Sequence, residues 1–258
     1  MKPKPVCLGP EYAAQFRDRS VAQAYGARPA YATEVYPLLG SLRSGSGPVL
    51  ELGAGTGDLT IGLAREVGRV DAVEPSAEML EVARSRATDS RIVWLHSTAE
   101  DFRPGSRYSL AVAAESLHWM DWGVVLQMVW GTLVEGAYLA IVVRARAWPT
   151  GVQEELDALV PRYSTNQDYQ AYDLVHELAQ RRLFSEVDRS RFEDSVVLGY
   201  DDVIDWHHSQ NGLSRDRMSV HAARRIDREV RTILERHCPD RTVPVKVTTL
   251  AIWGSQGA

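Results

Sequence analysis

Two residue types are scarce in this 258-residue chain, and each scarcity closes off a class of protein. Cysteine occurs only at Cys7 and Cys238, too few and too far apart for a disulfide framework or a zinc site. No metal is expected, and a reducing cytoplasm is the natural compartment. Lysine occurs only at Lys2, Lys4 and Lys246; the rest of the positive charge is arginine, and the formal net charge is −5. A dedicated nucleic-acid binder carries a basic patch instead, so no nucleic acid is expected as a partner. No apolar run approaches the ~20 residues of a membrane span. The start, Met1-Lys2-Pro3-Lys4-Pro5, has no apolar core behind it, so no signal peptide is expected either. Internal repeats and low-complexity tracts are absent as well.

What is present is organised around Val49-Leu50-Glu51-Leu52-Gly53-Ala54-Gly55-Thr56-Gly57-Asp58. A short apolar run ends in an acidic residue and three glycines at alternate positions, followed by Leu59, Leu63 and Val67 at helical spacing. The pattern predicts strand, tight turn, helix. Glycine suits such a turn because the backbone needs unusual dihedrals and must let a ligand come close, and the helix start offers free N–H groups. A dinucleotide fold wants G-x-G-x-x-G for its pyrophosphate. Here the spacing is G-x-G-x-G with Glu51 before it and Asp58 after it, an acidic lip better suited to a cationic ligand. The next strand-like segment, Val70 to Val73, ends in Glu74, where a carboxylate can take both hydroxyls of a ribose.

Further along stand Val73-Glu74-Pro75-Ser76 with Met79-Leu80, then Ser97-Thr98-Ala99-Glu100-Asp101-Phe102, then Ala113-Ala114-Glu115-Ser116-Leu117-His118-Trp119. With the glycine turn, these motifs in this order resemble the class I S-adenosylmethionine-dependent methyltransferases of small-molecule type, over most of residues 10 to 145. The resemblance implies a Rossmann-like, doubly wound α/β fold: a seven-stranded, mostly parallel sheet with the last strand antiparallel, a helical N-terminal lid and insertions in the C-terminal half. It implies one domain over 1–258, with a lid at 1–40, a cofactor-binding core at 41–147 and a substrate-specificity half at 148–258. S-adenosylmethionine would be the cofactor and S-adenosylhomocysteine its product. Gly53, Ala54, Gly55 and Gly57 would give close backbone approach, with Glu51 near the cofactor's cationic end. Glu74 would take the ribose, with Pro75 and Ser76 beside it, and Met79 would pack near adenine. Thr98, Ala99, Glu100 and Asp101 lie where relatives bind the adenine edge; for Asp101 the competing role is to cap the next turn. Tyr25 and Arg28, in Tyr25-Gly26-Ala27-Arg28-Pro29-Ala30-Tyr31, stand where relatives' lids often face the methionine end; a surface helix packed on the core is the other reading.

Glu115 and Ser116 end the fourth strand next to His118, and ligands in open α/β sheets bind at such strand ends. A neutral His118 can accept a proton from a phenol, hydroxyl or ammonium, or it is a wall of the pocket beside Trp119 and Trp122. A carboxylic acceptor needs no base but a cation to hold it; Arg144 and Arg146, past the fifth strand, are candidates, or else surface arginines. Beyond Ala147-Trp148-Pro149 the pattern loosens. Short helices are expected at Glu154 to Val160 and Asp173 to Leu183, and a strand at Ser195 to Leu198. Asp202 to Met218 reads as a His/Asn/Ser-rich insertion, Val220 to His237 as an amphipathic helix and Val243 to Trp253 as the last strand. His207 and His208 lack zinc-ligand spacing but offer alternative bases. Tyr163, Asn166, Tyr169 and Tyr172 either line a substrate pocket or pack as a cap on themselves. The expectation is methyl transfer to a small-molecule acceptor, at a carboxylate or hydroxyl oxygen, by a monomer or homodimer. A cofactor-binding regulator or silent relative, and then an NAD(P)-dependent oxidoreductase, are the alternatives.

Overall fold

The structure, a computed structural model, describes residues 4–257; Met1, Lys2 and Pro3 and the side chain of Cys7 lie outside the described residues. Three short helices, α1 (Pro10–Ala13), α2 (Arg19–Ala24) and α3 (Val35–Ser41), precede the first strand. Strands and helices then alternate: β1 (Val49–Leu52), α4 (Thr60–Val67), β2 (Val70–Glu74), α5 (Ala77–Arg86), β3 (Ile92–His96), β4 (Leu110–Ala114), α6 (Trp122–Thr132) and β5 (Leu139–Ala147). Two helices, α7 (Thr150–Leu159) and α8 (Leu174–Gln180), lead to β6 (Ser185–Gly199), and α9 (Tyr200–His208) and α10 (Val220–His237) lead to β7 (Thr242–Ser255).

All seven strands form one sheet in the order β3-β2-β1-β4-β5-β7-β6. β1 pairs in parallel with β2 and β4, and only β7 runs antiparallel to its neighbours, β5 and β6. The expected fold is therefore the observed one. The central strands are apolar runs because both faces are covered. Leu50 and Leu52 face one core layer with Ala111, Ala113 and Ile141, while Val49 faces the other with Leu63, Val112 and Val142. Strand order reverses between β1 and β4, which opens a crevice at their carboxyl ends.

A third apolar cluster joins α7, α9 and α10 to the far half of β7 through Trp148, Leu156, Val203, Ile226 and Val245. Two expectations for this half need correction. The segment read as a His/Asn/Ser-rich insertion from Asp202 begins inside the helix α9, on which Trp206, His207 and His208 are buried. Its polar groups bond locally, His207 Nδ1 to the Val203 carbonyl at 2.7 Å and Ser209 Oγ to the Trp206 carbonyl at 2.6 Å, so a polar composition coexists with burial. The strand expected at Ser195 to Leu198 extends back to Ser185. It is an edge strand, and its charged residues (Glu186, Asp188, Arg189, Arg191, Glu193) hide the usual apolar alternation. No helix among the described residues is long and apolar enough to cross a membrane.

Candidate active site

The turn after β1 holds Gly53, Gly55 and Gly57 at φ +74°, +57° and +83°, the left-handed region that favours glycine. A Cβ on Gly53 would stand 2.4 Å from that of Ser116, so β1 and β4 approach here only because no side chain intervenes. Gly55 leaves space instead: its nearest neighbour is the Tyr25 ring, 3.7 Å from where a Cβ would sit. Glu74, at the end of β2, is pinned by both oxygens. Oε2 accepts from the Gly55 N–H and Oε1 from the Ser76 N–H, each at 2.8 Å. Burial raises its pKa and those two bonds oppose the rise. Ser76 caps α5 by accepting from the Met79 N–H, which sets Met79 on the wall. These groups line a cavity of about 390 Å³, roofed by Pro10, Ala13 and Phe16 from the N-terminal segment.

At the end of β4 this cavity meets a second, of about 690 Å³, and Phe16, Glu115 and Trp119 line both. Glu115 sits at φ +51°, a conformation that costs a residue with a side chain roughly 1–2 kcal/mol. Its Oε1 accepts from the Arg144 N–H at 3.1 Å, and its Oε2 lies 3.8 Å from Arg28. The second cavity is walled by Trp148, Trp206 and His207, with Trp148 and His207 nearly parallel at 13°. Arg146 lies 3.4 Å above the Trp206 ring, its Nε buried with no hydrogen-bond partner. Burial lowers its pKa to about 10. His118 lines the same cavity between Trp119 and Tyr172; burial, with Lys4 and Arg28 adding to it, lowers its pKa to about 3. Burial likewise lowers His207 to about 3. Both rings are neutral at physiological pH.

Residues 49–136 match the family model described as Methyltransferase domain. This stretch is similar to methyltransferase domains. The chain is 33% identical over 136 residues to an uncharacterized methyltransferase of Mycobacterium tuberculosis, a match covering 52% of this chain and 54% of that one. It is 35% identical over 98 residues to another from that organism, covering 36% and 49%. The chain thus spans about half the length of the curated relatives it matches. A methyltransferase structure from Anaeromyxobacter dehalogenans superposes with a TM-score of 0.64 at 23% identity, covering 88% of this chain and 97% of that one. That likeness concerns the fold.

Most of the residues expected to bind a cofactor line the first cavity: Tyr25, Gly53, Gly55, Glu74, Pro75, Ser76, Met79, Thr98, Ala99, Glu100, Glu115 and Ser116. Five do not. Glu51 points to the opposite side of β1 from Leu50 and Leu52, and its Oε2 is buried without a hydrogen bond. Ala54 packs in the core below the turn, and Gly57 makes room for Trp94, which a Cβ would meet at 2.8 Å. Asp101 is exposed and closes a turn with Thr98, whose hydroxyl donates to it at 2.9 Å while accepting from its N–H. Arg28 lines the second cavity; it donates to Ser209 Oγ and the Ser209 carbonyl, and to the Tyr25 hydroxyl at 3.1 Å.

Of the residues expected to meet the acceptor, Trp119, Arg144, Asn166 and His207 line the second cavity, as do Tyr169 and Tyr172. Tyr163 turns away and donates to Glu229 at 2.6 Å. His208 faces the interior, with its two ring nitrogens against the Leu213 carbonyl and Asp227. Trp122 is core, donating to the Leu117 carbonyl. Arg144 is no free cation, since it donates to the Pro29 carbonyl and covers the Tyr31 ring. Sequence reasoning missed Pro10, Ala13, Asp157 and Gln210, small or polar residues brought to the walls by packing, with no local pattern to mark them.

Proposed function

We propose that the protein is an S-adenosylmethionine-dependent methyltransferase acting on an oxygen, hydroxyl or carboxylate, of a small-molecule acceptor. The observation that carries this reading is the junction of two cavities at Phe16, Glu115 and Trp119, one formed around the glycine turn and Glu74 and the other walled by aromatic rings. The first fits an adenosyl group: Gly55 leaves the backbone open, and Glu74, though pinned, keeps one lone pair on each oxygen for the two ribose hydroxyls. Met79, Pro75 and Ala99 would flank the adenine, and Tyr25 would close over Gly55. Bound there, the sulfonium would supply an electrophilic methyl group.

The chain's own work is positioning, which can recover roughly 7–11 kcal/mol of a barrier when reacting groups are well oriented. Phe16 and Trp119, their ring centroids 5.3 Å apart and tilted at 55°, exclude water at the mouth between the cavities. His118, with a pKa near 3, is too weak a base to take a hydroxyl proton outright. Its neutral ring accepts a hydrogen bond from the acceptor and directs an oxygen lone pair toward the mouth.

The test is transfer of labelled methyl from S-adenosylmethionine into pooled small acids, phenols and amines, followed by mild base. Label in an ester, released as methanol, or in a base-stable ether supports an oxygen acceptor. Label on nitrogen or carbon refutes the oxygen assignment. No transfer and no calorimetric binding of S-adenosylhomocysteine would refute the methyltransferase reading itself.

A further inference from the structure

The second cavity holds a cation with no ion-pair partner among the described residues. Of its three arginines, Arg28 is occupied by Ser209, Tyr25 and Glu115, and Arg144 by Pro29 and Tyr31. Arg146 forms no ion pair among the described residues, and its Nε is buried and unbonded. Trp206 covers one face of the guanidinium at 3.4 Å, with Trp148 at 5.5 Å. Stacking leaves the in-plane N–H fork free to point at a ligand, the geometry by which arginine grips a carboxylate. A part-buried guanidinium whose buried Nε makes no hydrogen bond is an unfavourable arrangement unless a ligand completes it.

We infer that Arg146 is the anchor for the acceptor, and that the acceptor is a small monocarboxylate with a flat or apolar body lying against Trp148, Trp206 and His207. The inference rests on the methyltransferase reading above for the word acceptor alone. Asp157 also lines this cavity, and its charge argues for one negative charge on the ligand over the two of a phosphate monoester. The carboxylate is a handle and not the methylated group. Arg146 lies two residues, roughly 7 Å, farther along β5 than the Arg144 N–H that holds Glu115 at the mouth. The atom that takes the methyl therefore belongs to the other end of the molecule.

Matched acids and amides test this by calorimetry or tryptophan fluorescence, with and without saturating S-adenosylhomocysteine: benzoate and benzamide, phenylacetate and phenylacetamide, cinnamate and cinnamamide, with phenyl phosphate as the dianion. At least one acid should bind tenfold or more tightly than its amide, and phenyl phosphate should bind more weakly than that acid. Arg146→Gln should bring the acid down to the level of the amide, Arg146→Lys should recover part of the difference, and S-adenosylhomocysteine affinity should change in neither. Acids that bind no better than their amides in the unaltered protein would overturn the anchor, as would a preference that survives Arg146→Gln. Tighter binding of phenyl phosphate than of every acid would overturn the monocarboxylate. Loss of label as methanol from a methylated acid would overturn the handle. Failure of S-adenosylhomocysteine to bind would count against the cofactor reading and leave the acid–amide comparison standing.

Discussion

At the scale of single residues, three positions carry most of the argument. Glu74 is held by two backbone N–H groups before any ligand arrives, so its orientation costs nothing on binding. Glu74→Ala should weaken S-adenosylhomocysteine binding by tenfold or more while the circular dichroism spectrum is unchanged; equal calorimetric affinities would remove Glu74 from the ribose. Gly53→Ala meets both a positive φ and the Ser116 Cβ at 2.4 Å, and should lose about 2–4 kcal/mol of unfolding free energy. Denaturant titration that finds no loss would mean the turn rearranges. Glu51 is different in kind. Burial raises its pKa to about 8, with Thr60 opposing and Asp58 and Glu74 adding, so the native protein keeps a proton that the unfolded chain sheds from about pH 4.5. Glu51→Gln should therefore stabilise by about 4 kcal/mol at pH 8 and by little at pH 4.5. The same gain at both pH values would contradict a neutral Glu51.

At the scale of elements, the N-terminal segment behaves as a roof fastened by polar bonds. Asp18 accepts from Ser214 Oγ at 2.7 Å and pairs with Arg217, Asn211 donates to the Tyr12 carbonyl, and Arg28 grips the C-terminal end of α9 at Ser209. A cation at that end also meets the negative pole of the helix. Arg28→Ala removes the bonds to Ser209 and Tyr25 and leaves Glu115 without its cation, so protease cleavage within residues 4–34 should accelerate severalfold while β1 to β5 stay protected from hydrogen exchange. An unchanged cleavage rate would show that the remaining bonds suffice. The same elements explain how two histidines on one helix come to differ. On α9, His207 turns to the cavity and His208 to the interior, because successive positions on a helix point about 100° apart.

At the scale of the whole molecule, buried titratable groups shape the dependence of stability on pH. His118 and His207 have pKa values lowered to about 3, so the unfolded chain binds protons that the native protein refuses, and stability falls as pH drops from about 6.5 toward 3. Glu51, raised to about 8, and Glu74, also raised, act in the opposite sense, and stability falls as pH climbs above about 4.5. Urea denaturation should find maximal stability between about pH 5 and 7, with losses at pH 4 and at pH 8. A steady rise from pH 4 to pH 8 would mean that the buried carboxyl groups ionise in the native state.

What the sequence determined by itself is the part of the protein whose signal is local. The glycine turn, the Ser76 cap, the Glu74 strand end and the buried parallel strands each follow from a few consecutive residues. Such residues can be read in order, because backbone dihedrals, capping and strand burial act over short spans. Only the tertiary structure decided which side each chemistry-bearing side chain faces. Glu51 and Arg28 have the residue types a cofactor site needs, yet one lies behind the sheet and the other is bound to α9. His207 and His208 are adjacent and alike in sequence, and packing sends one to the cavity and the other to Asp227. Arg144 and Arg146 read identically along β5. The N-terminal segment covers Arg144, while Trp206, brought from α9 sixty residues on, covers Arg146, because a side chain's partners are set by long-range packing that no local pattern records.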